Sequence, residues 1–182
     1  MMDDKIGAWV LEVKRYNRRL HLVSSALEKD LEAGVRQTMS LLEHIPEPQI
    51  ADLGAGSGLL SIPYKVMNPS FEVALIERSR KKCDFLRHVI DALKLQGIRV
   101  IEADPLKESV QPFPAVMSRA FSPKETLAEA VMRVVSTPGC LYYFEAGTPE
   151  PIVHPGFERQ EHFSKGQGSG RLSLDVYRIT SR

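Results

Sequence analysis

Cysteine is scarce in this chain. Cys83 and Cys140 are the only two, without Cys-x-x-Cys spacing, which excludes a disulfide framework or a zinc-ribbon site and points to thiols of a reduced compartment. Long apolar runs are also missing; none approaches the ~18 residues of a membrane span. The start, Met1-Met2-Asp3-Asp4-Lys5, is acidic and has no signal-peptide apolar region, so the expected location is the cytoplasm, with no membrane partner. Neither charge sign dominates: 24 basic and 23 acidic residues leave a net charge of +1. No whole-molecule field draws the chain to nucleic acid, so any such contact has to be a local patch. His44, His88, His154 and His162 stand singly, and no metal site is expected. Repeats and low-complexity tracts are absent. What remains is 182 residues, 43% of them apolar, enough for one globular core.

The most informative stretch is Ile50-Ala51-Asp52-Leu53-Gly54-Ala55-Gly56-Ser57-Gly58-Leu59-Leu60. It reads as the end of a buried strand, a glycine turn and the start of a helix. Glycine is needed where φ is positive or where a ligand must approach the backbone, and the free N–H groups at a helix start offer a polar, weakly positive end. Dinucleotide-binding turns use Gly-x-Gly-x-x-Gly. Here Gly54, Gly56 and Gly58 are evenly spaced behind Asp52. That Asp-x-Gly-x-Gly-x-Gly pattern resembles the first motif of S-adenosylmethionine-dependent methyltransferases with a Rossmann-like sheet. A tight turn without a ligand also favours glycine, so a glycine turn alone is a weak signal; three glycines with a preceding Asp are a much stronger one.

Downstream, Phe71-Glu72-Val73-Ala74-Leu75-Ile76 suits a buried parallel strand. Glu77 ends it about 20 residues past the glycines, where an acid can accept from both ribose hydroxyls. The competing reading, an acid favoured by a helix dipole, would win for an isolated Glu; the glycine turn at this distance favours the ribose.

Helical periodicity covers about Ile6 to Leu22, with Lys14, Arg15, Arg18 and Arg19 clustered near its end. That cluster fits a helix-dipole role as well as an RNA contact. A second helix is expected from about Ala26 to Glu43, stopped by Pro46 and Pro48. Residues 1–48 thus form an N-terminal helical cap and residues 49–182 the main domain, in one compact unit. Strands are expected at 49–53, 71–76, 98–102, 115–118 and 139–144, with helices at 58–66, 81–94 and 124–135; Pro63 is expected to kink or shorten the first of these helices. Phe157–Phe163 and Leu172–Ile179 alternate as antiparallel strands do. The fold class is therefore α/β, a three-layer α/β/α arrangement, with ligands expected beyond the carboxyl ends of the strands where strand order reverses.

Four stretches occur in order: Tyr16-Asn17-Arg18-Arg19-Leu20-His21-Leu22-Val23-Ser24, the Asp52–Gly58 turn, Arg80-Lys81-Lys82-Cys83-Asp84-Phe85-Leu86, and Met117-Ser118-Arg119-Ala120-Phe121. Together they resemble the GidB family, the small-subunit ribosomal RNA methyltransferase G (RsmG) proteins, over nearly the whole chain. The resemblance implies a Rossmann-like class I methyltransferase fold, S-adenosyl-L-methionine as cofactor, and methyl transfer to N7 of a guanine in small-subunit (16S) rRNA. The implied partner is that RNA or the 30S particle, and a monomer is favoured. Three stretches depart from the family pattern: Arg36-Gln37-Thr38-Met39-Ser40 replaces His-x-x-Asp-Ser, Asp104-Pro105-Leu106 replaces Arg-x-Glu, and Ala146-Gly147 replaces Lys-Gly.

For the cofactor, Gly54, Gly56 and Gly58 are expected to let the backbone approach, Asp52 to take the amino group and Glu77 the ribose. Asp104 would receive the adenine amine by fold analogy, with a plain Asp-Pro turn as likely. Arg119, after the fourth strand, is the candidate catalytic residue and a cofactor contact, its planar fork suiting phosphate or a guanine edge. Phe121 is placed evenly between base stacking and core packing. Arg78, Arg80, Lys81 and Lys82 form the densest basic run, a solvated face or a phosphate rim. A different RNA or small-molecule target, a non-catalytic binding module and a nicotinamide domain remain as alternatives.

Overall fold

The computed structural model describes residues 4–119 and 123–180. Helix α1 spans Asp4–Leu20, α2 Ser25–Lys29 and α3 Leu31–Leu42. The expected single second helix is broken at Asp30, whose side chain accepts from the Ala33 N–H at 3.3 Å and starts α3 afresh; Ser24 caps α2 in the same way through Leu27. Such caps contribute about 1 kcal/mol each, enough to set where a short helix begins.

Then come β1 (Gln49–Leu53), α4 (Ser61–Met67), β2 (Glu72–Glu77), α5 (Arg80–Ala92), β3 (Ile98–Glu102), β4 (Phe113–Arg119), α6 (Lys124–Val134), β5 (Val135–Ala146), β6 (Phe157–Lys165) and β7 (Leu172–Ile179). Pro63 does not kink α4. It lies in the first turn, where a missing N–H interrupts no hydrogen bond inside the helix. The helix starts later than expected because Gly54, Gly56 and Gly58 all take positive φ, between 56° and 77°, which holds residues 54–60 in turns.

The seven strands form one sheet in the order β3-β2-β1-β4-β5-β7-β6. β1 to β5 are parallel, and β7 runs antiparallel between β5 and β6. Strand order reverses between β1 and β4, so the crevice lies beyond their carboxyl ends. Alternate side chains of each strand feed two cores. One holds Ile50, Leu75, Met117 and Phe144 together with Trp9, Val35, Ile62 and Leu86 of the helices; the other holds Ala51, Ile76, Val116 and Tyr143 with Leu127 and Val131 of α6. The sheet is thus sandwiched, with α1, α3, α4 and α5 on one face and α6 on the other. Ile6, Trp9, Val10 and Val13 of α1 are each at most 2% exposed. At roughly 1.5–3 kcal/mol per buried side chain, these anchors tie the cap firmly into the first core.

Candidate functional site

A cavity of about 470 Å³ opens at the strand-order reversal. Its floor is the end of β1 and the following turn: Asp52, Gly54, Ala55, Gly56 and Ser57. Arg119 of β4 and Ala146 of β5 form one wall; Gln37 of α3, the Leu22–Leu27 segment and Gly170–Leu172 close the others.

The turn is latched from below. The N–H groups of Gly54 and Ala55 both donate to the Ile76 carbonyl, at 2.9 and 3.1 Å, which ties the turn after β1 to the end of β2. A Cβ on Gly58 would sit 2.7 Å from Ile62 Cγ1 and 3.1 Å from Leu86 Cδ2. Gly58 is therefore a packing glycine beneath the turn, whereas Gly54 and Gly56 line the cavity. Trp9 Nε1 donates to the Ser57 carbonyl at 3.0 Å, tying the cap to the same turn.

Asp52 is 2% exposed, and its Oδ2 has no hydrogen-bond partner among the described residues. Burial pushes its carboxyl up to about 7, while the hydroxyl and N–H of neighbouring Ser61 act to lower it. An orphaned carboxylate oxygen at the edge of a cavity is costly unless something cationic reaches it. Glu77 is also buried, but partnered. Its Oε2 accepts from the Gly56 N–H at 3.0 Å and its Oε1 from the Ser79 N–H at 2.8 Å. It stands behind Gly56 rather than on the cavity wall, and each oxygen keeps a lone pair for a further donor.

Arg119 Nη1 donates to Thr38 Oγ1 at 3.1 Å, and Thr38 in turn donates to the Gly34 carbonyl at 2.8 Å. No carboxylate pairs with Arg119 among the described residues. Burial lowers its guanidinium to about 10, so it stays a cation at neutral pH. Ser118 Oγ donates to the Leu53 carbonyl at 2.9 Å and pins β4 to β1 just below. Phe121 lies outside the described residues. Asp104 is engaged in its own turn: its Oδ1 accepts from the Leu106 N–H at 3.1 Å, and Lys107 stands 3.8 Å from its Oδ2. It does not reach the cavity wall. Arg78, Arg80 and Lys81 are exposed on the turn into α5.

Sequence reasoning passed over three contributors. Gln37 Nε2 donates to the carbonyls of Lys165 and Gly170, at 2.8 and 2.7 Å, and seats the β6–β7 loop on the cap. Thr38 holds Arg119. Arg171 lines the cavity and contacts His162 Nε2 at 3.3 Å and Ser164 Oγ at 3.2 Å. Gln37 and Thr38 work across long spans of chain and Arg171 across the β6–β7 hairpin, so no local motif marks them.

The parallel strands, reversed antiparallel edge and glycine turn define the Rossmann-like class I methyltransferase fold. The PH0226 protein from Pyrococcus horikoshii OT3 matches with a TM-score of 0.68 at 15% identity, over 91% of this chain and 99% of that one. TrmN from Thermus thermophilus matches at 0.63 and 16% identity, over 80% and 48%. TYW2 from P. horikoshii, solved in complex with MeSAdo, matches at 0.58 and 17% identity, over 80% and 62%. At such identities the likeness is one of fold. Sequence narrows the class: the profile of the GidB family, rRNA small subunit methyltransferase G, matches residues 2–153, and the chain belongs to that family. The ribosomal RNA small subunit methyltransferase G of Polynucleobacter asymbioticus is 36% identical over 132 residues, 70% of this chain and 56% of that protein. The corresponding protein of Magnetococcus marinus is 30% identical over 100 residues, 54% and 46% of the two chains. This chain therefore spans about half the length of these two relatives.

Proposed function

We propose that this protein binds S-adenosylmethionine in the cavity and directs its methyl group to N7 of a guanine in small-subunit ribosomal RNA. The observation that carries the reading is Asp52, a buried carboxylate with an orphaned oxygen beside the bare backbone of Gly54 and Gly56. That pairing of an unsatisfied acid with an open glycine cradle fits the ammonium and backbone-hugging shape of the cofactor. Asp52 would hold the amino group. Glu77, already oriented by two N–H groups, would accept from the ribose with its remaining lone pairs. Asp104 remains the candidate for the adenine amine by fold analogy alone, since its carboxylate serves its own turn and lies off the cavity wall.

The cofactor, when bound, supplies an electrophilic methyl group on a sulfonium. Guanine N7 has a free lone pair, so the chain needs no general base. Its task is positioning and electrostatics. Arg119 can hold the acceptor through phosphate or the guanine edge, because Thr38 fixes its direction through one N–H and no other partner is seen for it among the described residues. Family membership supports ribosomal RNA, or the assembled small particle, as the partner, and the cytoplasm as the place of action.

The test is transfer of labelled methyl from S-adenosylmethionine to undermethylated small subunits, with the site mapped by strand scission at 7-methylguanosine. Label in the RNA with scission at one guanine is the expected result. Label only in transfer RNA or in small molecules would replace the target; binding of the cofactor without turnover would replace the enzyme by a binding module.

A further inference from the structure

A second concavity lies beside the candidate active site, between the last turns of α1 and the first turns of α5. This groove of about 400 Å³ is lined by Tyr16, Arg19 and Leu20 from α1 and by Lys81, Asp84, Phe85 and His88 from α5. Its floor is aromatic. The Tyr16 ring centroid is 5.6 Å from Phe85 and 5.8 Å from His88, with planes tilted by 58° and 53°. Phe85 is buried, Tyr16 is half-buried with the Arg15 guanidinium 5.7 Å from its ring centroid on one side, and His88 is exposed, which leaves His88 and the other side of Tyr16 for a base. Its rim is cationic. Arg18 and Arg19 end α1, and Arg78, Arg80, Lys81 and Lys82 open α5. None of the six has a carboxylate partner among the described residues. The acids nearby have partners of their own: Asp84 pairs at 3.1 Å with Arg87, which Glu102 shares at 3.2 Å, and Glu12 pairs with His88 at 2.6 Å and Arg15 at 3.6 Å. Two basic runs some sixty residues apart in sequence therefore meet at the groove, where Arg19 and Lys81 line it.

We infer that this groove is a seat for a single-stranded RNA nucleotide flanking the target, with the base stacked on Tyr16 and His88 and the phosphates held by Arg19 and Lys81. The inference rests on RNA being the acceptor, as proposed above. Aromatic rings between cations are the sequence-tolerant pattern by which single strands are held, and guanidinium and ammonium groups without acids of their own suit phosphate. Position agrees. Leu20 lines the groove and Leu22 lines the main cavity; two residues span at most about 7 Å, so one strand can occupy both. The turn joining them is fixed, since Asn17 Oδ1 accepts from the Val23 N–H at 2.9 Å and the Asn17 carbonyl from the His21 N–H at 2.9 Å.

The experiment compares the full chain with Arg19→Glu/Lys81→Glu, Tyr16→Leu and, as a control remote from the groove, Arg133→Glu. Binding of a fluorescent single-stranded RNA oligonucleotide is followed across a salt series, alongside calorimetry with S-adenosylhomocysteine. The double charge reversal should weaken RNA binding tenfold or more and flatten the logarithmic salt slope by about 1.4, the value for two phosphate contacts. Tyr16→Leu should weaken it about threefold to tenfold with the slope unchanged, and the effect should vanish with an abasic oligonucleotide of equal charge. Arg133→Glu should leave RNA binding as it is, and all variants should retain the nucleoside affinity of the parent, which shows that they fold. Equal RNA affinity for parent and groove variants, with methyl transfer to RNA intact, would overturn the groove and leave the function standing. If the parent transfers no methyl to RNA and binds none, the functional reading fails first and the groove falls with it. Equal loss on abasic and normal RNA for Tyr16→Leu would overturn the stacking seat.

Discussion

The end of β1 and the β6–β7 edge each bury an aspartate to the same extent. Asp52 and Asp175 are both 2% exposed. Their surroundings are opposite. Asp175 Oδ1 takes Arg159 Nη2 and His162 Nδ1, each at 2.6 Å. His162 accepts from Arg171 through Nε2, so its Nδ1 must carry the proton given to Asp175. That aspartate is complete, and its role is to hold two strands together. Asp52 keeps one oxygen, Oδ2, without a partner among the described residues, at the wall of a cavity. Equal burial of one residue type thus accompanies a structural tie in one place and, under the function proposed above, a cofactor contact in the other. The discriminating quantity is the number of partners left over.

The contrast can be broken by pH. Asp52 has a folded value raised to about 7 from 3.8. A raised acid binds its proton more tightly when folded, so its contribution to stability is complete below pH 4 and is lost as pH rises through about 7. At 1.36 kcal/mol per pH unit the loss from this group is about 4 kcal/mol. Urea unfolding from pH 4 to 8 should show it as the difference between the parent and Asp52→Asn, with the variant gaining on the parent as pH rises. Binding runs the other way: S-adenosylmethionine affinity of the parent should fall below pH 7 as Asp52 is protonated, and Asp52→Asn should bind at least tenfold more weakly at pH 8, with a flat profile. A variant with parental affinity and slope would remove Asp52 from the cofactor site.

Asp175→Ala tests the other half. Arg159 and His162 are partly exposed, so the loss is below the 3–5 kcal/mol of a fully buried broken pair; about 2 kcal/mol is expected in urea unfolding at neutral pH. Calorimetry should give unchanged cofactor affinity. A cofactor defect at unchanged stability would make the two aspartates functionally alike. The smallest effect is expected from Thr38→Val, which removes the bond that aims Arg119. It should cost about 1 kcal/mol or less in stability, raise KM for RNA several-fold, and leave cofactor binding unchanged. Unchanged KM would mean that Arg119 does not need its tether.

The glycine turn, the acid ending β2 and the strand alternation were legible in the sequence because each is written in a few adjacent residues. The break at Asp30 was not read. Asp30 stands within a helical run of apolar residues, and its competing capping bond appears once the backbone turns there. Pro63 misled for a related reason: a proline inside a pattern reads as a kink until the helix start is known. The tether of Arg119 by Thr38 and the clamp of the β6–β7 loop by Gln37 could not be read, since they join residues that only the folded sheet brings together. Gln37 and Thr38 belong to a stretch that departs from the family pattern, and the fold puts both to use beside the cavity. Asp104 shows the reverse case, where the turn role written into Asp-Pro accounts for its hydrogen bonds.

Trp9 is the chain's sole tryptophan, fully buried and bonded through its indole to the carbonyl of Ser57. The molecule therefore carries an intrinsic optical gauge wired to its glycine bend. Any adjustment of that bend on ligand arrival alters the field at the indole, and emission of the unlabelled protein can follow the event in real time.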